Sequence, residues 1–364
     1  MTFTTPLEER RDAWKVCRKS INYYDQANQL KQIRAEGLTA LANFSCCQDV
    51  LRRLDKTFQA FFARVKRGEH PGFPRFRTLR RYDSITFPSY GDGCRLLSDR
   101  KLRIQGAGLI KVKLHRLVEG AIKTVSIKRD VNHWYVCFSV ERDTVALPES
   151  SEEIGVDVGL ESFAVLSDGT PIDNPRHLNR GLAHLRRAQR KLSRRQRGSQ
   201  RRRRAAVLVA QAHRRIRNQR ANFHHQLSRW LVEHYGLIAV EDLKIKGLSR
   251  GMLARSVHDA GWSSFFAMLL YKAASAGREL VKVDPRGTSQ RCVSGAYVPK
   301  TLKDRWHECP VCGLSAPRDV VSAQVILQCA RVGRSRRNVE DVVSCVPREA
   351  VAFRRRSDHS APGL

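Results

Sequence analysis

The stretch IGVDVGL (154–160) is an apolar run that carries one carboxylate, Asp157, near its end. A second run, LIAVEDLK (237–244), reaches Glu241 in the same way, and a third acid, Asp319, opens the apolar part of APRDVVSA (316–323). The first two runs predict buried strands, and the third predicts the start of a helix. Each acid alone is a weak signal, because an acid after a strand or before a helix is often a helix N-cap.

The chain around these acids is strongly basic. Its 364 residues include 67 Lys and Arg against 35 Asp and Glu, a net charge of +32. Such an excess predicts a polyanionic partner, most simply nucleic acid. Carboxylates at strand ends in a basic protein indicate divalent cations and a phosphodiester substrate. The length is sufficient for two or three domains.

Targeting signals are not evident. No apolar stretch approaches the ~18 residues of a membrane-spanning helix, so we expect no membrane partner. The beginning, MTFTTPLEERRDAWK, lacks the apolar region of a secretory signal. The ten cysteines are scattered except for a cluster at 292–312, which predicts reduced thiols in the cytoplasm. We expect a cytoplasmic, nucleoid-associated protein.

The N-terminal third contains two different sequence patterns. Residues 8–68 show helical spacing of apolar residues, ended by Gly and Pro at 68–74. The loop PGFPRFRTLRRYDS (71–84) then interleaves Arg75 and Arg77 with Phe73 and Phe76. Arginine beside aromatic rings is typical of nucleic-acid binding, in which phosphates pair and bases stack. The alternative, a solvated linker with two buried Phe anchors, is equally consistent with this pattern.

Residues 83–143 alternate apolar and polar positions in short runs separated by turn residues. This pattern predicts antiparallel strands that form a small barrel or a sandwich. In LIKVKLHR (109–116), Lys111 and Lys113 alternate with apolar residues, so one face of the sheet is predicted to be basic. That face either binds an RNA backbone or is simply solvated.

A basic region at about 176–234 follows two predicted strands. From Arg176 to Arg220 it holds 17 Lys and Arg and no Asp or Glu, and Gly198 and Ser199 interrupt the helical pattern. Charge runs are usually disordered. Regularly placed leucines favour instead an ordered helical hairpin with an outward nucleic-acid face. The candidate contacts on it are Arg186, Arg187, Arg190, Lys191, Arg194, Arg195, Arg214 and Arg215.

The whole C-terminal part has an α/β order of strand, strand, basic helices, strand, helix, strand, loop and helix. In a sheet of the RNase H type, the first strand, a later strand and a final helix each bring one acid to a common point. Asp157, Glu241 and Asp319 occupy those kinds of position. Three converging carboxylates repel one another, and Mg²⁺ or Mn²⁺ relieves that repulsion. Two such ions about 4 Å apart can activate water and stabilise a leaving 3′ oxygen.

Several motifs in one order resemble the TnpB family, the OrfB-type proteins of small bacterial transposons. The resemblance covers about Val50 to Leu327. Its stretches are RRLDKTFQAFFARVKRGEHPGFPRFR (52–77), LIKVKLHRLVEGAIKTVSIKR (109–129), IGVDVGLESFAVLSDG (154–169), HRRIRNQRANFHHQLSRWLVEHYGLIAVEDLKIKGL (213–248), TSQRC (288–292) and CPVCGLSAPRDVVSA (309–323).

The resemblance implies a multidomain α+β protein. We expect a helical recognition-type domain at 1–82, a wedge-type β-barrel domain at 83–150 and a RuvC-like nuclease domain at 151–330. A zinc-ribbon-like insert spans 288–315, and 331–364 forms a basic, disordered tail. Type V CRISPR effectors are similar in architecture. The family's motifs make Asp157, Glu241 and Asp319 the metal-binding catalytic acids, with Mg²⁺ or Mn²⁺ as cofactor and guide RNA and duplex DNA as partners.

Two motifs depart from the family pattern. The zinc ribbon usually has two C-x-x-C pairs, but here only Cys292, Cys309 and Cys312 remain, and Gly295 stands where the fourth cysteine is expected. His307 is a substitute ligand whose position two residues before Cys309 predicts strained geometry. Either this set binds zinc, or it is a collapsed loop with free thiols.

The second departure concerns the last acidic motif. It reads Arg318-Asp319-Val320-Val321-Ser322-Ala323, so Val321 replaces the family's Asn. The usual strand ahead of the first helix is also missing from MTFTTPLEERRDAW, which indicates an upstream start or a truncated copy. The sequence therefore predicts an RNA-guided DNA endonuclease linked to transposition. A nuclease-inactive copy acting as an RNA-guided DNA-binding protein and a transposase that joins strands are the alternatives.

Overall fold

Three capped helices open the chain. They are α1 (Pro6–Cys17), α2 (Tyr23–Ala35) and α3 (Phe44–Lys66). Thr5 and Asn22 form capping boxes with Glu8 and Asp25, and the Asn43 side chain accepts from the Cys46 N–H. These side chains satisfy N–H groups that a helix start leaves free, which fixes where each helix begins.

The computed structural model describes residues 5–37, 42–76, 81–98, 100–143, 146–301 and 303–336. The chain divides into two compact units, Met1–Asp143 and Thr144–Leu364. The separate domain boundary that we expect between 82 and 83 lies within the first unit and stays a prediction. Among the described residues, no helix is both long and apolar enough to cross a bilayer.

The second half of the first unit consists of two small antiparallel sheets. Strands β1 (Ser84–Phe87), β5 (Ala121–Asp130) and β6 (His133–Glu141) form one sheet in the order β1-β5-β6. Strands β2 (Cys94–Leu96), β3 (Lys101–Ile104) and β4 (Gly108–Lys111) form the other in the order β2-β3-β4.

The predicted closed barrel is wrong for the described residues, because no strand of one sheet pairs with a strand of the other. The two sheets instead share one apolar cluster, in which Phe87 and Val125 meet Cys94, Leu102 and Ile104. Face-to-face burial of this kind is the sandwich arrangement.

The predicted strand at LIKVKLHR is shorter than the sequence pattern indicates. Strand β4 ends at Lys111, so Lys113 lies beyond the sheet. Lys111 and Lys113 are nevertheless both exposed, and Val112 between them is partly buried. The predicted alternation therefore fails within β4, where the apolar Leu109 and Ile110 are exposed as well as Lys111.

A mixed five-stranded sheet organises the second unit. Its strands are β7 (Glu153–Val158), β8 (Ser162–Leu166), β9 (Pro171–Asp173), β10 (Leu237–Glu241) and β11 (Glu279–Val283), in the order β11-β10-β7-β8-β9. Strand β10 runs parallel to β7 and β11, and the β7-β8-β9 part is antiparallel. The other elements are α4 (His177–Ser193), α5 (Gln200–His234), α6 (Ile245–Leu248), α7 (Ala254–Ala260), α8 (Trp262–Ala276), the hairpin β12 (Trp306–Glu308) and β13 (Ser315–Pro317), and α9 (Arg318–Arg336).

The alternation of side chains along the strands gives this sheet two buried faces. Ile154, Val156, Ile238 and Val240 belong to a cluster with α5, α7 and α8. Leu237 and Ala239 project the other way and pack against Ile326, Leu327 and Ala330 of α9. Since side chains alternate along a strand, Asp157 and Glu241 belong to the face that α9 covers.

The basic region is an ordered helical pair. Helices α4 and α5 pack through Leu185, Ala212 and Ile216. Ser199 caps α5 by accepting from the Arg202 N–H, and Gly198 has a φ of 84°, so the turn lies where the sequence predicts it.

The last helix is longer than predicted. Helix α9 continues to Arg336, so the first residues of the expected tail at 331–364 are helical. Residues 337–364 and the candidate contact Arg77 lie outside the described residues.

Candidate functional site

The three predicted acids line one pocket of the second unit. Asp157 lies near the end of β7, Glu241 is the last residue of β10, and Asp319 lies in the first turn of α9. The pocket has a volume of about 420 Å³, and its other polar lining residues are Glu161, Ser162, Thr288, Ser289, Arg305, Arg318 and Ser322. Acids separated by about 80 residues along the chain therefore reach the same cavity.

The register of the sheet explains the first pair of acids. Val240 is the partner of Val156 in the parallel ladder between β10 and β7. One residue further along, the same register places Glu241 beside Asp157 on the same face of the sheet. The side-chain caps that single acids suggest are absent here, because α6 begins at Ile245 after Lys244, and Asp319 is the second residue of α9 rather than the residue before it.

A close contact between α9 and β7 positions the third acid. A Cβ atom added at Gly155 would lie 2.0 Å from the carbonyl oxygen of Ala323. Only glycine in β7 and a small residue in α9 permit this approach. Ala323 follows Asp319 by one helical turn, so this contact fixes the start of α9 above Asp157.

Charge repulsion is built into the pocket. Burial raises the pKa of Asp157 well above its ordinary value, and the nearby Glu241 and Asp319 raise it further, while Arg318 opposes them. Burial also raises the pKa of Glu241, and a hydrogen bond from Thr288 opposes this shift. A cation among these oxygens would reverse both effects, because it stabilises the charged forms.

The donor atoms of the pocket indicate which kind of ion would fit it. Among the described residues, the three carboxylates do not form a compact group in which all ligand atoms lie within 4.8 Å of one another. Two divalent ions about 3.5–4 Å apart need ligands spread around both of them. The donor set, three carboxylates with a serine and a threonine nearby, consists of the hard oxygen ligands that Mg²⁺ and Mn²⁺ prefer.

Two further residues, Thr288 and Arg318, shape this pocket, and the sequence pattern alone indicates no role for them. Thr288, which is buried, donates a hydrogen bond from Oγ1 to Oε1 of Glu241 at 2.5 Å. Nε of Arg318 lies 3.4 Å from Oδ1 of Asp319, and Nη1 of Arg318 donates to the carbonyl oxygens of Thr301 and Asp304. Both residues belong to stretches that carry the family resemblance, and that was the only available signal.

A second candidate site lies in the loop between β11 and α9. Ligand atoms of Cys292, His307 and Cys309 all lie within 4.8 Å of one another, and the Sγ atoms of Cys292 and Cys312 are 3.5 Å apart. His307 is fully buried, and neither ring nitrogen has a hydrogen-bond partner among the described residues. Two thiols and an orphaned imidazole are therefore grouped closely enough to share one zinc ion, and Cys312 lies beside Cys292 as a candidate fourth ligand.

The short separation of His307 and Cys309 along the chain does not keep their ligand atoms apart. His307 lies in the middle of β12, and Cys309 follows two residues later. Residues two apart along an extended chain project to the same side, so both can face Cys292. Backbone N–H groups of Cys312 and then Val311 lower the pKa of the Cys309 thiol to about 6, which favours the thiolate that binds metals.

All but one of the predicted nucleic-acid contacts are exposed where the structure describes them. Arg186, Arg187, Arg190, Lys191, Arg194 and Arg195 are exposed, opposite the buried Leu185 and Ala188. Five cations line a concavity of about 540 Å³, namely Arg187, Arg190, Lys191, Arg194 and Arg195. Arg215 is exposed and Arg214 is partly buried, while Arg75 is exposed in the first unit.

Comparison with known proteins gives the family. Residues 135–252 match the OrfB family model, described as a probable transposase, and residues 262–326 match the model of the Cas12f1-like TNB domain. A predicted RNA-guided DNA endonuclease of Streptomyces pristinaespiralis is 32% identical over 340 residues, which cover 90% of this chain and 82% of that protein. The chain belongs to the TnpB (OrfB) family of transposon-associated nucleases.

Other relatives are more distant. InsQ of Escherichia coli strain K12, also a predicted RNA-guided DNA endonuclease, is 27% identical over 300 residues, covering 77% of this chain and 73% of InsQ. A cryo-EM structure of a Cas12f1–sgRNA–target DNA complex aligns with 88% of this chain and 89% of its own chain, at 13% identity and a TM-score of 0.37. That last likeness is too low to support a conclusion.

Proposed function

We propose that this TnpB-family protein is an RNA-guided DNA endonuclease that hydrolyses phosphodiester bonds with two divalent cations, Mg²⁺ or Mn²⁺. The observation that supports this most is the convergence of Asp157, Glu241 and Asp319 on one pocket. A basic chain that matches endonucleases over most of its length supplies the substrate class.

The residues of the pocket have distinct roles in this proposal. Asp157, Glu241 and Asp319 hold the cations, and Thr288 orients the Glu241 carboxylate through its hydrogen bond. The bound cations supply Lewis-acid stabilisation of the attacking and leaving oxygens. Arg318 and Arg305 line the same pocket, where their positive charge attracts a DNA phosphate.

Guide RNA and duplex DNA are the proposed partners. Base pairing between guide and target reads the sequence, so the protein needs backbone contacts rather than base-specific ones. The exposed cations of α4 match this need, because they face no carboxylate partner among the described residues and converge on one concavity.

The test is cleavage by the full chain purified with its copurifying RNA. Sequencing that RNA defines a matched duplex target. We expect Mg²⁺-dependent cutting that Asp157→Ala and Glu241→Gln abolish, with RNA retained. Asp242→Asn is the matched control for Glu241→Gln, because Asp242 is the next residue, lies outside the pocket and pairs with Lys282. Cutting by Asp157→Ala would refute the site.

One observation keeps a binding-only function as the second candidate. Val321, which stands in place of the family's Asn, is completely buried in the packing of α9 and offers no amide near the acids. A guided binding protein without nuclease activity predicts retained target binding and no nicking with Mg²⁺ or Mn²⁺. A strand-transfer assay with transposon ends tests the remaining alternative, a transposase.

We further propose that Cys292, His307, Cys309 and Cys312 bind one structural zinc ion. Such an ion closes the loop between β11 and α9, because its ligands come from both ends of that loop. Arg318 contacts the same loop at Thr301 and Asp304 and lies beside Asp319, so an ordered loop also orders the start of α9.

A further inference from the structure

A second, chemically different cavity lies in the first unit. It has a volume of about 700 Å³, within the usual range of ligand sites. It opens between α1, the segment after it, α3 and Phe73. Its lining residues are Arg10, Arg11, Trp14, Lys15, Ser20, Ile21, Asn22, Asp55, Phe58, Gln59, Phe61, Phe62 and Phe73. Five of them are aromatic and three are basic.

Arg10 is the unusual residue of this cavity. It is 7% exposed, yet its guanidinium is only partly satisfied. Nε donates to Oε1 of Gln26 at 2.8 Å, and Nη1 donates to Oδ1 of Asp55 at 3.0 Å. Nη2 is buried and has no hydrogen-bond partner among the described residues. A buried donor without a partner is costly, so an acceptor brought to it by a ligand gains a hydrogen bond.

The aromatic walls of the cavity are unusually exposed. Trp14, Phe62 and Phe73 are 54%, 55% and 48% exposed. The ring of Phe73 meets those of Phe58 and Phe61 edge to face, which holds it in place. Large aromatic faces that remain open to solvent mark a binding surface rather than a core.

The aromatic walls favour a planar ligand, and the charges around the cavity favour one that is attached to anionic groups. Lys15 lies beside the exposed rings, Arg11 pairs with Asp12, and the carboxylate of Asp55 is already occupied by Arg10 and Gln59. The cavity therefore offers rings and positive charge but no free anion. Aromatic rings beside cations are the combination that binds single-stranded nucleic acid, with bases stacked and phosphates paired.

We infer that this cavity binds one unstacked nucleobase of a single-stranded nucleic acid. The base stacks on Trp14 and Phe62, a carbonyl oxygen or ring nitrogen of the base accepts from Nη2 of Arg10, and Lys15 attracts an adjoining phosphate. The inference rests on the proposed function, since the guide RNA is the source of the strand.

The test uses the full chain and a 15-nucleotide oligouridine RNA that carries one 4-thiouridine for photo-crosslinking. Trp14→Ala and Phe62→Ala remove exposed rings and leave the buried Arg10 network intact. Tyr24→Ala is the matched control, because Tyr24 is 74% exposed in the same unit and does not line the cavity.

We expect Trp14→Ala and Phe62→Ala, the two rim variants, each to weaken RNA binding about fivefold or more. Because no phosphate contact is removed, the slope of log affinity against log salt stays the same. Affinity for blunt duplex DNA also stays the same, since its bases are stacked. Crosslinks should map to peptides that contain Trp14, Phe62 or Phe73, and Tyr24→Ala should behave as the parent chain.

The outcomes separate this inference from the proposed function. If the parent chain fails to bind the RNA, the proposed function fails. If it binds and both rim variants bind equally well, only the nucleobase cavity is refuted. A change in self-association without a change in RNA affinity would assign the cavity to a second copy of the chain and refute it as well.

Discussion

At the scale of single residues, electrostatic repulsion among the three acids of the pocket lowers the free energy of unfolding. Asp157 is partly buried beside two further carboxylates, and both burial and repulsion raise its pKa. A raised carboxyl pKa means that the folded state binds protons more tightly than the unfolded state. The free energy of unfolding then falls as pH rises from the ordinary Asp value, near 4, through the raised value. At neutral pH, Asp157 therefore costs stability unless a cation is bound.

Asp157→Asn should stabilise the fold at neutral pH. The gain should vanish below about pH 4, where Asp157 is protonated in both states. A gain of about 1 kcal/mol corresponds to a rise in Tm of about 2–4 °C for a domain of 150–250 residues. Mg²⁺ should raise the Tm of the parent chain and not that of the variant. Thermal unfolding between pH 4 and pH 8 measures both effects, with Asp173→Asn on β9 as the exposed control. A pH-independent difference would contradict the proposed cause.

Zinc content tests the second residue cluster. We expect about one zinc per chain and its loss in His307→Ala and Cys309→Ser, because removing one of four ligands opens the site. His213→Ala and Cys17→Ser alter an exposed histidine and an exposed cysteine and should retain the metal. Elemental analysis of the purified proteins gives the result. Full zinc content in His307→Ala would exclude the imidazole as a ligand.

These two sites differ in how far the sequence predicts them. The strand ends and the first turn of a helix locate Asp157, Glu241 and Asp319, because strand period and chain order decide where they go. His307 is different, since sequence spacing alone predicts strained geometry with Cys309. Its position becomes favourable only because residue 307 lies in a short strand, and the sequence of the 288–315 loop gives no period from which to infer β12 and β13.

At the scale of elements, the contact between β7 and α9 holds Asp319 near Asp157. Gly155→Ala should cost about 1–3 kcal/mol, because the new methyl group has no room beside Ala323. It should also weaken Mg²⁺ binding, since α9 and Asp319 must move away from Asp157. Urea unfolding and metal titration measure these effects. Gly247→Ala is the control, because no atom lies within 4 Å of the added Cβ and the backbone there is not left-handed.

In the first unit, the sequence predicts the individual strands but not how the two sheets pack. The alternation of apolar and polar residues finds the strands of both small sheets. It does not determine how sheets meet, because barrel closure depends on hydrogen bonds between edge strands that are far apart in sequence. The described strands of the two sheets do not pair with each other, and the sheets instead share the cluster of Phe87, Val125 and Leu102.

At the scale of the whole molecule, the net charge of +32 predicts steeply salt-dependent binding. Replacing both Arg190 and Arg194 by alanine should make the slope of log affinity against log salt less steep. The slope should change by about 0.7 for each phosphate contact on single-stranded RNA that is lost. Arg229→Ala is the matched control, because Arg229 is exposed on α5 and already paired with Glu233. An unchanged slope in the double variant would remove α4 from the RNA-binding surface.

The metal site is tested most directly by anomalous diffraction from crystals of the full chain soaked in Mn²⁺. We predict two manganese peaks about 3.5–4 Å apart, within coordination distance of the carboxylates of Asp157, Glu241 and Asp319. Crystals of Asp157→Asn should lose at least one peak. Manganese bound elsewhere, or carboxylates that remain unligated at saturating Mn²⁺, would contradict the claim that these three acids form one metal-binding site.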